Sequence, residues 1–222
     1  MASGRKDAPS ASSRQAEAIR AVSLRVGARV SVTRAEGPGA RFAVWLQGCS
    51  LRCPGCCNPH LFGAGDGSLV EVAALLAEVG AVREEIEGVT LLGGEPFEQA
   101  GGLARFARGV RELGLSVMTF SGYTLEELRT PSASRPAAID LLEATDVLVD
   151  GRYDASRPET ERLWTGSTNQ RFHYLTGRYT DRIERPAVDE PLRRVEVRVG
   201  ADGRLRANGW PVLEVARPAG MG

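Results

Sequence analysis

All four cysteines of the chain lie between positions 49 and 57. The first three follow the spacing Cys49-x3-Cys53-x2-Cys56, on a stretch containing Pro54 and Gly55 that is flexible enough to wrap one object. Thiolates are soft ligands suited to zinc or to iron–sulfur clusters. Two kinds of centre fit this spacing. With His60 as a fourth ligand, the set reads as a structural Cys3His zinc site. With no fourth protein ligand, it reads as a cubane held by three cysteines, one iron being left to bind something other than protein. Cys57 comes directly after a ligand and reads as a non-ligand, small and half-buried.

The elements around the cysteines are legible from apolar spacing. Val22 to Val32 alternates as an edge strand, and Phe42, Val44, Trp45 and Leu46 form a short buried strand that ends at Gly48. Leu69 to Val79 has helical spacing, with Ser68 placed to cap it. Val89 to Leu92 is a strand running into Gly93-Gly94-Glu95-Pro96, and Phe97 to Leu113 is a helix weakened by Gly101-Gly102. Leu115 to Phe120 is the next strand, ending in Ser121-Gly122-Tyr123. Thr124 caps a short helix to Arg129, Ala137 to Ala144 is helical, and Asp146 to Val149 is a strand ending in Asp150-Gly151. Arg178 to Pro191 reads as loop, and Arg194–Val199 with Leu205–Ala207 flank the turn Gly200-Ala201-Asp202-Gly203 as a hairpin.

Alternating strand and helix predicts an α/β fold with a parallel sheet. In such folds the C-terminal ends of the strands share one rim, where sites are built. The cysteine loop, Gly93–Pro96, Ser121–Tyr123 and Asp150–Gly151 all come after strand ends, so four segments are expected to converge there.

Length and composition set outer bounds. A chain of 222 residues suits one domain with tails: a disordered segment over 1–21, a core over 22–176 and an extension over 177–222 carrying the hairpin. With 28 acidic and 28 basic residues the formal charge is zero, so neither nucleic acid nor an anionic membrane is an expected partner. No apolar run nears the roughly 20 residues that span a bilayer, and Met1 to Arg20 lacks the apolar centre of a secretory signal. Clustered cysteines cannot staple distant parts of a secreted fold, which points to a reducing cytoplasmic location.

The flanking residues add a resemblance. Gly37-Pro38-Gly39-Ala40-Arg41, Trp45-Leu46-Gln47-Gly48-Cys49 and Cys53-Pro54-Gly55-Cys56-Cys57-Asn58 resemble the activating proteins of anaerobic ribonucleoside-triphosphate reductases, within the radical S-adenosylmethionine superfamily. The likeness continues through Leu92-Gly93-Gly94-Glu95-Pro96, Ser121-Gly122-Tyr123, Val147-Leu148-Val149-Asp150-Gly151 and Gly166-Ser167-Thr168-Asn169-Gln170-Arg171. It runs from Ala35 to Leu175 with the motifs in family order.

The resemblance implies an incomplete (β/α) barrel with a C-terminal β-hairpin extension. It implies a 4Fe–4S cluster on Cys49, Cys53 and Cys56, whose open iron chelates S-adenosylmethionine. Gly55, Cys56 and Cys57 would line the adenine side through backbone, and Gly93, Gly94 and Glu95 would meet the cofactor's ammonium end. Ser121 would offer its hydroxyl to the ribose or carboxylate. Plainer roles exist for each: Gly93-Gly94 as a strand-end turn, Ser121 as a helix cap, Asp150 as a turn residue, Gln170 and Arg171 as a solvated pair.

The implied reaction is oxidoreductive: cleavage of S-adenosylmethionine to a 5′-deoxyadenosyl radical, which takes hydrogen from a glycine of a glycyl-radical enzyme subunit. A flavodoxin or ferredoxin-type reductant would supply the electron. Modification of a small molecule or peptide, or a non-catalytic zinc or iron–sulfur module, are the alternatives. Cys57 stands where relatives carry an aromatic residue or histidine.

Overall fold

The computed structural model describes residues 22–179, 183–187, 191, 194–200, 203 and 205–210. The predicted disordered tail over 1–21 lies outside them, as do residues 201 and 202 of the predicted hairpin turn.

The centre is a seven-stranded sheet in the order β3-β1-β2-β4-β5-β6-β7. Its strands are β1 (Ser23–Thr33), β2 (Arg41–Leu46), β3 (Ser68–Glu71), β4 (Gly88–Gly93), β5 (Ser116–Phe120), β6 (Val147–Asp150) and β7 (Arg171–Tyr174). β2, β4, β5 and β6 run parallel, while β1, β3 and β7 are antiparallel to their neighbours. The helices are α1 (Val72–Ala81), α2 (Ala100–Glu112), α3 (Leu125–Arg129) and α4 (Ala138–Glu143). β8 (Arg194–Val199) and β9 (Leu205–Trp210) form a separate antiparallel hairpin. The fold is mixed α/β, and no described helix is long and apolar enough to cross a membrane.

The parallel strands are buried on both faces, so they read as continuous apolar runs rather than alternations. Within each, alternate residues still serve different neighbours. Phe42, Val44, Leu46, Val89, Leu91, Val117 and Leu148 pack against the helices in the main core. Ala43 and Trp45, and Met118, Val147 and Val149, point to the opposite face and join smaller clusters. On the helix side, α2 buries Leu103, Ala104, Phe106, Ala107 and Val110, an amphipathic stripe at helical spacing. Of the two glycines expected to weaken this helix, Gly102 falls where it approaches β1, since a Cβ there would lie 2.7 Å from Leu24 Cδ2, whereas one at Gly101 would meet only Ala137 Cβ at 3.8 Å. Gly109, not singled out in the sequence, is a second close approach, 2.7 Å from Leu76 Cδ1.

Three expectations change. β1, read from its alternation as an edge strand, lies between β3 and β2. Ser68 does not cap a helix: Ser68–Glu71 pairs with the outer edge of β1, and α1 begins only at Val72. β7, the strand after the Gly166–Gln170 loop, has no counterpart among the elements expected from apolar spacing. Both are edge strands with largely exposed or half-buried residues, held by backbone pairing that leaves little trace in that spacing. Thr124 caps α3 as expected, in a reciprocal capping box with Glu127.

Candidate functional site

The parallel register aligns the strand ends. Leu46 of β2 pairs with Gly93 of β4, and Phe120 of β5 with Val149 of β6. The segments that leave these ends therefore meet at one rim. The Gly94 amide donates to Leu46 O and the Glu95 amide to Gly48 O, both at 2.8 Å, so the Gly-Gly-Glu segment is bonded directly to the root of the cysteine loop.

The loop itself is fixed by backbone and amide side chains. Gly48 N–H donates to Leu61 O at 2.8 Å and Cys49 N–H to Phe62 O at 3.3 Å. Gln47 Nε2 donates to His60 O and Gly63 O, while Gln99 Nε2 donates to Gln47 O. Ser50 donates twice to Glu98 Oε1. Cys56 N–H reaches Cys53 O at 3.1 Å, closing a turn in which Gly55 takes φ +76°. Arg52 sits at φ +46°, a conformation a side chain rarely adopts.

Cys49, Cys53, Cys56 and Cys57 line one cavity of about 750 Å³, together with Gly93, Gly94, Glu95 and Ser121. Cys49, Cys53 and Cys56 are half-buried, and Cys57, expected to be so, is exposed. Backbone N–H groups of Leu51 and Arg52 reach the Cys49 sulfur, and that of Asn58 reaches Cys56 Sγ at 3.4 Å. Such donors suit thiolate and cluster sulfurs. The Cys57 thiol hydrogen-bonds to Cys56 and holds it down to about 6, its own pKa rising in exchange. Burial pushes the Cys49 thiol up. The donor set thus fits a cluster bound through three thiolates. Among the described residues no three Cys, His, Asp or Glu side chains gather around a point for one ion.

Glu95 is buried, and its carboxyl accepts from Phe97 N at 3.0 Å, Ser121 Oγ at 2.9 Å and Gly122 N at 2.9 Å. Burial pushes it up to about 7 against those three bonds. It therefore ties the end of β4 to the end of β5. The single hydroxyl proton of Ser121 goes to Glu95, and its oxygen accepts from Tyr123 N at 3.0 Å. This leaves Ser121 an acceptor toward the cavity, which suits a ribose hydroxyl, the first of its two expected partners, better than a carboxylate.

Packing makes a further demand on Gly93 and Gly94, which line the cavity as expected. A Cβ at Gly94 would lie 2.2 Å from Gly48 O, and one at Gly93 2.7 Å from Trp45 Cα. Close backbone packing by the cysteine loop and β2 requires both glycines, whatever their carbonyls do in the cavity. Gly55 is not among the cavity-lining residues, and its missing Cβ faces Tyr153 Cε1 at 3.4 Å. Positive φ, rather than an open cofactor face, accounts for that glycine.

Gln170 also lines the cavity, but its Oε1 accepts from Gly166 N and Ser167 N, folding the Gly166–Gln170 loop on itself instead of facing solvent. Asp150 is fully buried and accepts from Leu125 N at 2.6 Å and from Arg171. Sequence reasoning missed Glu36. This carboxyl is buried at the cavity wall, raised by that burial and held by Asn208 at 3.0 Å. Its one signal is a carboxylate just before Gly37-Pro38-Gly39, and there it reads as part of a turn.

The sequence that builds this site has relatives among known proteins. Residues 35–173 match the model of the family described as 4Fe-4S single cluster domain. The chain is 30% identical over 147 residues to the anaerobic ribonucleoside-triphosphate reductase-activating protein of Enterobacteria phage T4, covering 61% of this chain and 85% of that protein. It is 28% identical over 146 residues to the protein of the same name from Escherichia coli strain K12, covering 63% of this chain and 91% of that protein. Among solved structures, QueE from Escherichia coli aligns with a TM-score of 0.44 at 16% identity, over 61% of this chain and 73% of that one.

Proposed function

The chain belongs to the 4Fe-4S single cluster domain family and to that of the anaerobic ribonucleoside-triphosphate reductase-activating proteins, and from that premise we propose that it is a radical S-adenosylmethionine activase of a glycyl-radical enzyme. The observation that carries this reading is the convergence of Cys49, Cys53 and Cys56 with the Gly93–Glu95 strand end on one cavity.

Held by Cys49, Cys53 and Cys56, a 4Fe–4S cluster would supply a low-potential electron for reductive cleavage of S-adenosylmethionine, the chemistry that would allow hydrogen to be taken from a glycine Cα of a partner. The chain's own residues position and shield. Cys49, Cys53 and Cys56 provide the thiolates, and Cys57 supports Cys56 by hydrogen bonding. Glu95 fixes the relative placement of the Gly93–Glu95 and Ser121–Gly122 segments, whose backbone groups are the ones set to orient the cofactor. Trp45, Leu61 and Leu92 give the cavity apolar walls that exclude water from a reactive carbon. No general base is needed, which agrees with a chain holding two histidines.

The finer architecture accords with the same reading. Residues 22–176 form an incomplete (β/α) barrel: helices cover one face of the sheet, and the cavity opens on the other. Residues 177–222 are an extension to it. The natural reductant is a flavodoxin or ferredoxin-type protein, and the setting is the cytoplasm.

The test mixes anaerobically reconstituted protein, a chemical reductant, S-adenosylmethionine and an anaerobic ribonucleoside-triphosphate reductase subunit. A doublet electron paramagnetic signal on that subunit with release of 5′-deoxyadenosine is expected. Release of 5′-deoxyadenosine with no protein radical would reassign the substrate to a small molecule or peptide.

A further inference from the structure

The β8–β9 hairpin borders the cavity, yet no strand ties it to the sheet. Val195 and Val199 of β8, with Ala207 and Asn208 of β9, line the same space as the cysteines. They lie beyond residue 173, where the family match ends. Among the described residues β8 and β9 pair only with each other. A two-stranded hairpin alone is marginal in water, so whatever fastens this one decides whether it stands at the cavity.

The fastening is a set of hydrogen bonds to the end of β1 and the segment after it. Arg198 donates to Val32 O at 2.7 Å, and Glu196 Oε1 accepts from Arg34 N at 2.7 Å. Asn208 Nδ2 donates to Thr33 Oγ1 at 2.9 Å and to Glu36 Oε1 at 3.0 Å. The Glu36 carboxyl also accepts from the Gly209 N–H. Glu196 and Asn208 are cross-strand partners, so with Arg198 they share one face of the hairpin. On the other face Val197, Val199 and Leu205 are exposed. The hairpin is thus held by its polar face, onto a segment whose Thr33, Ala35 and Glu36 are buried.

Resting on the activase reading above, we propose that Glu36, Glu196 and Asn208 are positioning residues that hold this hairpin as a wall of the reaction cavity, and that the wall keeps out hydrogen donors other than the partner's glycine. Each reductive cleavage of S-adenosylmethionine to 5′-deoxyadenosine takes one hydrogen atom from some donor. Buffer molecules and thiols carry C–H and S–H bonds that would serve, and a hydrogen taken from them leaves no radical on the subunit. Closing the cavity against them directs the loss to the glycine.

Glu196 does not line the cavity, so its removal reaches the chemistry only through the hairpin. Glu196→Ala and Asn208→Leu each remove part of the fastening, whereas Glu196→Gln keeps an oxygen for the Arg34 N–H. In the apoprotein, backbone hydrogen exchange over residues 194–199 and 205–210 should quicken about fivefold in the first two, the effect of losing about one hydrogen bond, and stay near wild type in the third. The reconstituted holoenzymes, at unchanged iron content, are then given S-adenosylmethionine, reductant and an anaerobic ribonucleoside-triphosphate reductase subunit. The 5′-deoxyadenosine released in excess of subunit radical should rise about fivefold in Glu196→Ala and Asn208→Leu, in step with the opened population, and not in Glu196→Gln. Exchange unchanged in both variants overturns the fastening, and quickened exchange with unchanged excess overturns the wall; either result leaves the activase reading standing. No subunit radical from the wild type overturns the activase reading, and this inference with it.

Discussion

The two rims of the parallel sheet are built on opposite terms. At the N-terminal rim, Arg41 is completely buried and its guanidinium is satisfied by the chain itself. Nε donates to Thr90 Oγ1, one terminal nitrogen to Ser116 Oγ at 2.6 Å and Tyr179 OH at 3.1 Å, the other to Val89 O at 2.6 Å. Tyr179 in turn donates to Glu87 Oε1 at 2.6 Å. At the C-terminal rim, four thiols and the backbone of Gly93 and Gly94 face a cavity. A buried charge is tolerated where every donor finds a partner, and such a network locks the strands' starting points. Polar and soft groups turned toward a cavity wait for a ligand. The same sheet thus carries a lock at one end and a receptacle at the other, and mutations should separate the two.

The largest effect is expected at the lock. Arg41→Met should cost about 3–5 kcal/mol of stability, because it strands Thr90, Ser116 and the Val89 carbonyl in the interior. Denaturant titration of the apoprotein measures it, and a change below about 1 kcal/mol would show that the network is not what holds that rim. Glu95, at the receptacle, gives the next. Its carboxyl is raised to about 7 by burial from an ordinary 4.5, so the folded protein keeps a proton that the unfolded chain has released. The stability this brings is complete below about pH 4.5 and is lost as pH rises through about 7, on the order of 3 kcal/mol in all. Glu95→Gln should flatten that part of the stability–pH curve in protein free of S-adenosylmethionine. A slope identical to the wild type would place the titration elsewhere. Beside the receptacle, just past the end of β5, Thr124→Ala breaks the capping box of α3 and should cost about 1 kcal/mol without altering iron content.

Much of this contrast is legible in the sequence, for physical reasons that also explain what is not. Apolar runs such as Phe42–Leu46 and Val89–Leu92 mark strands buried on both faces, and strand-end glycines mark the rim. β3 and β7 escape such a reading because edge strands are held by backbone pairing, to which side-chain pattern is nearly blind. The cysteines are identifiable because their chemistry is carried by spacing along one loop. Ser121 and Glu95 can be placed at the site from sequence, but not in their roles. Only three-dimensional contact shows that the serine proton goes to the glutamate. Glu36 escapes notice because its partner Asn208 lies 172 residues away in sequence. The buried Arg41 stands inside a family motif, but a motif does not reveal that the guanidinium faces Ser116 and Tyr179.

Three thiolates, and not the fourth, are the ones assigned to the cluster. Iron and sulfide content with the visible spectrum, measured after anaerobic reconstitution of four single variants, tests this most directly. Cys49→Ala, Cys53→Ala and Cys56→Ala should each fail to hold the cubane while remaining folded, since none of these side chains belongs to the apolar core. Cys57→Ala should keep about four irons and four sulfides, as a cubane requires. Full cluster content in any of the first three, or its loss in Cys57→Ala, would contradict the assignment.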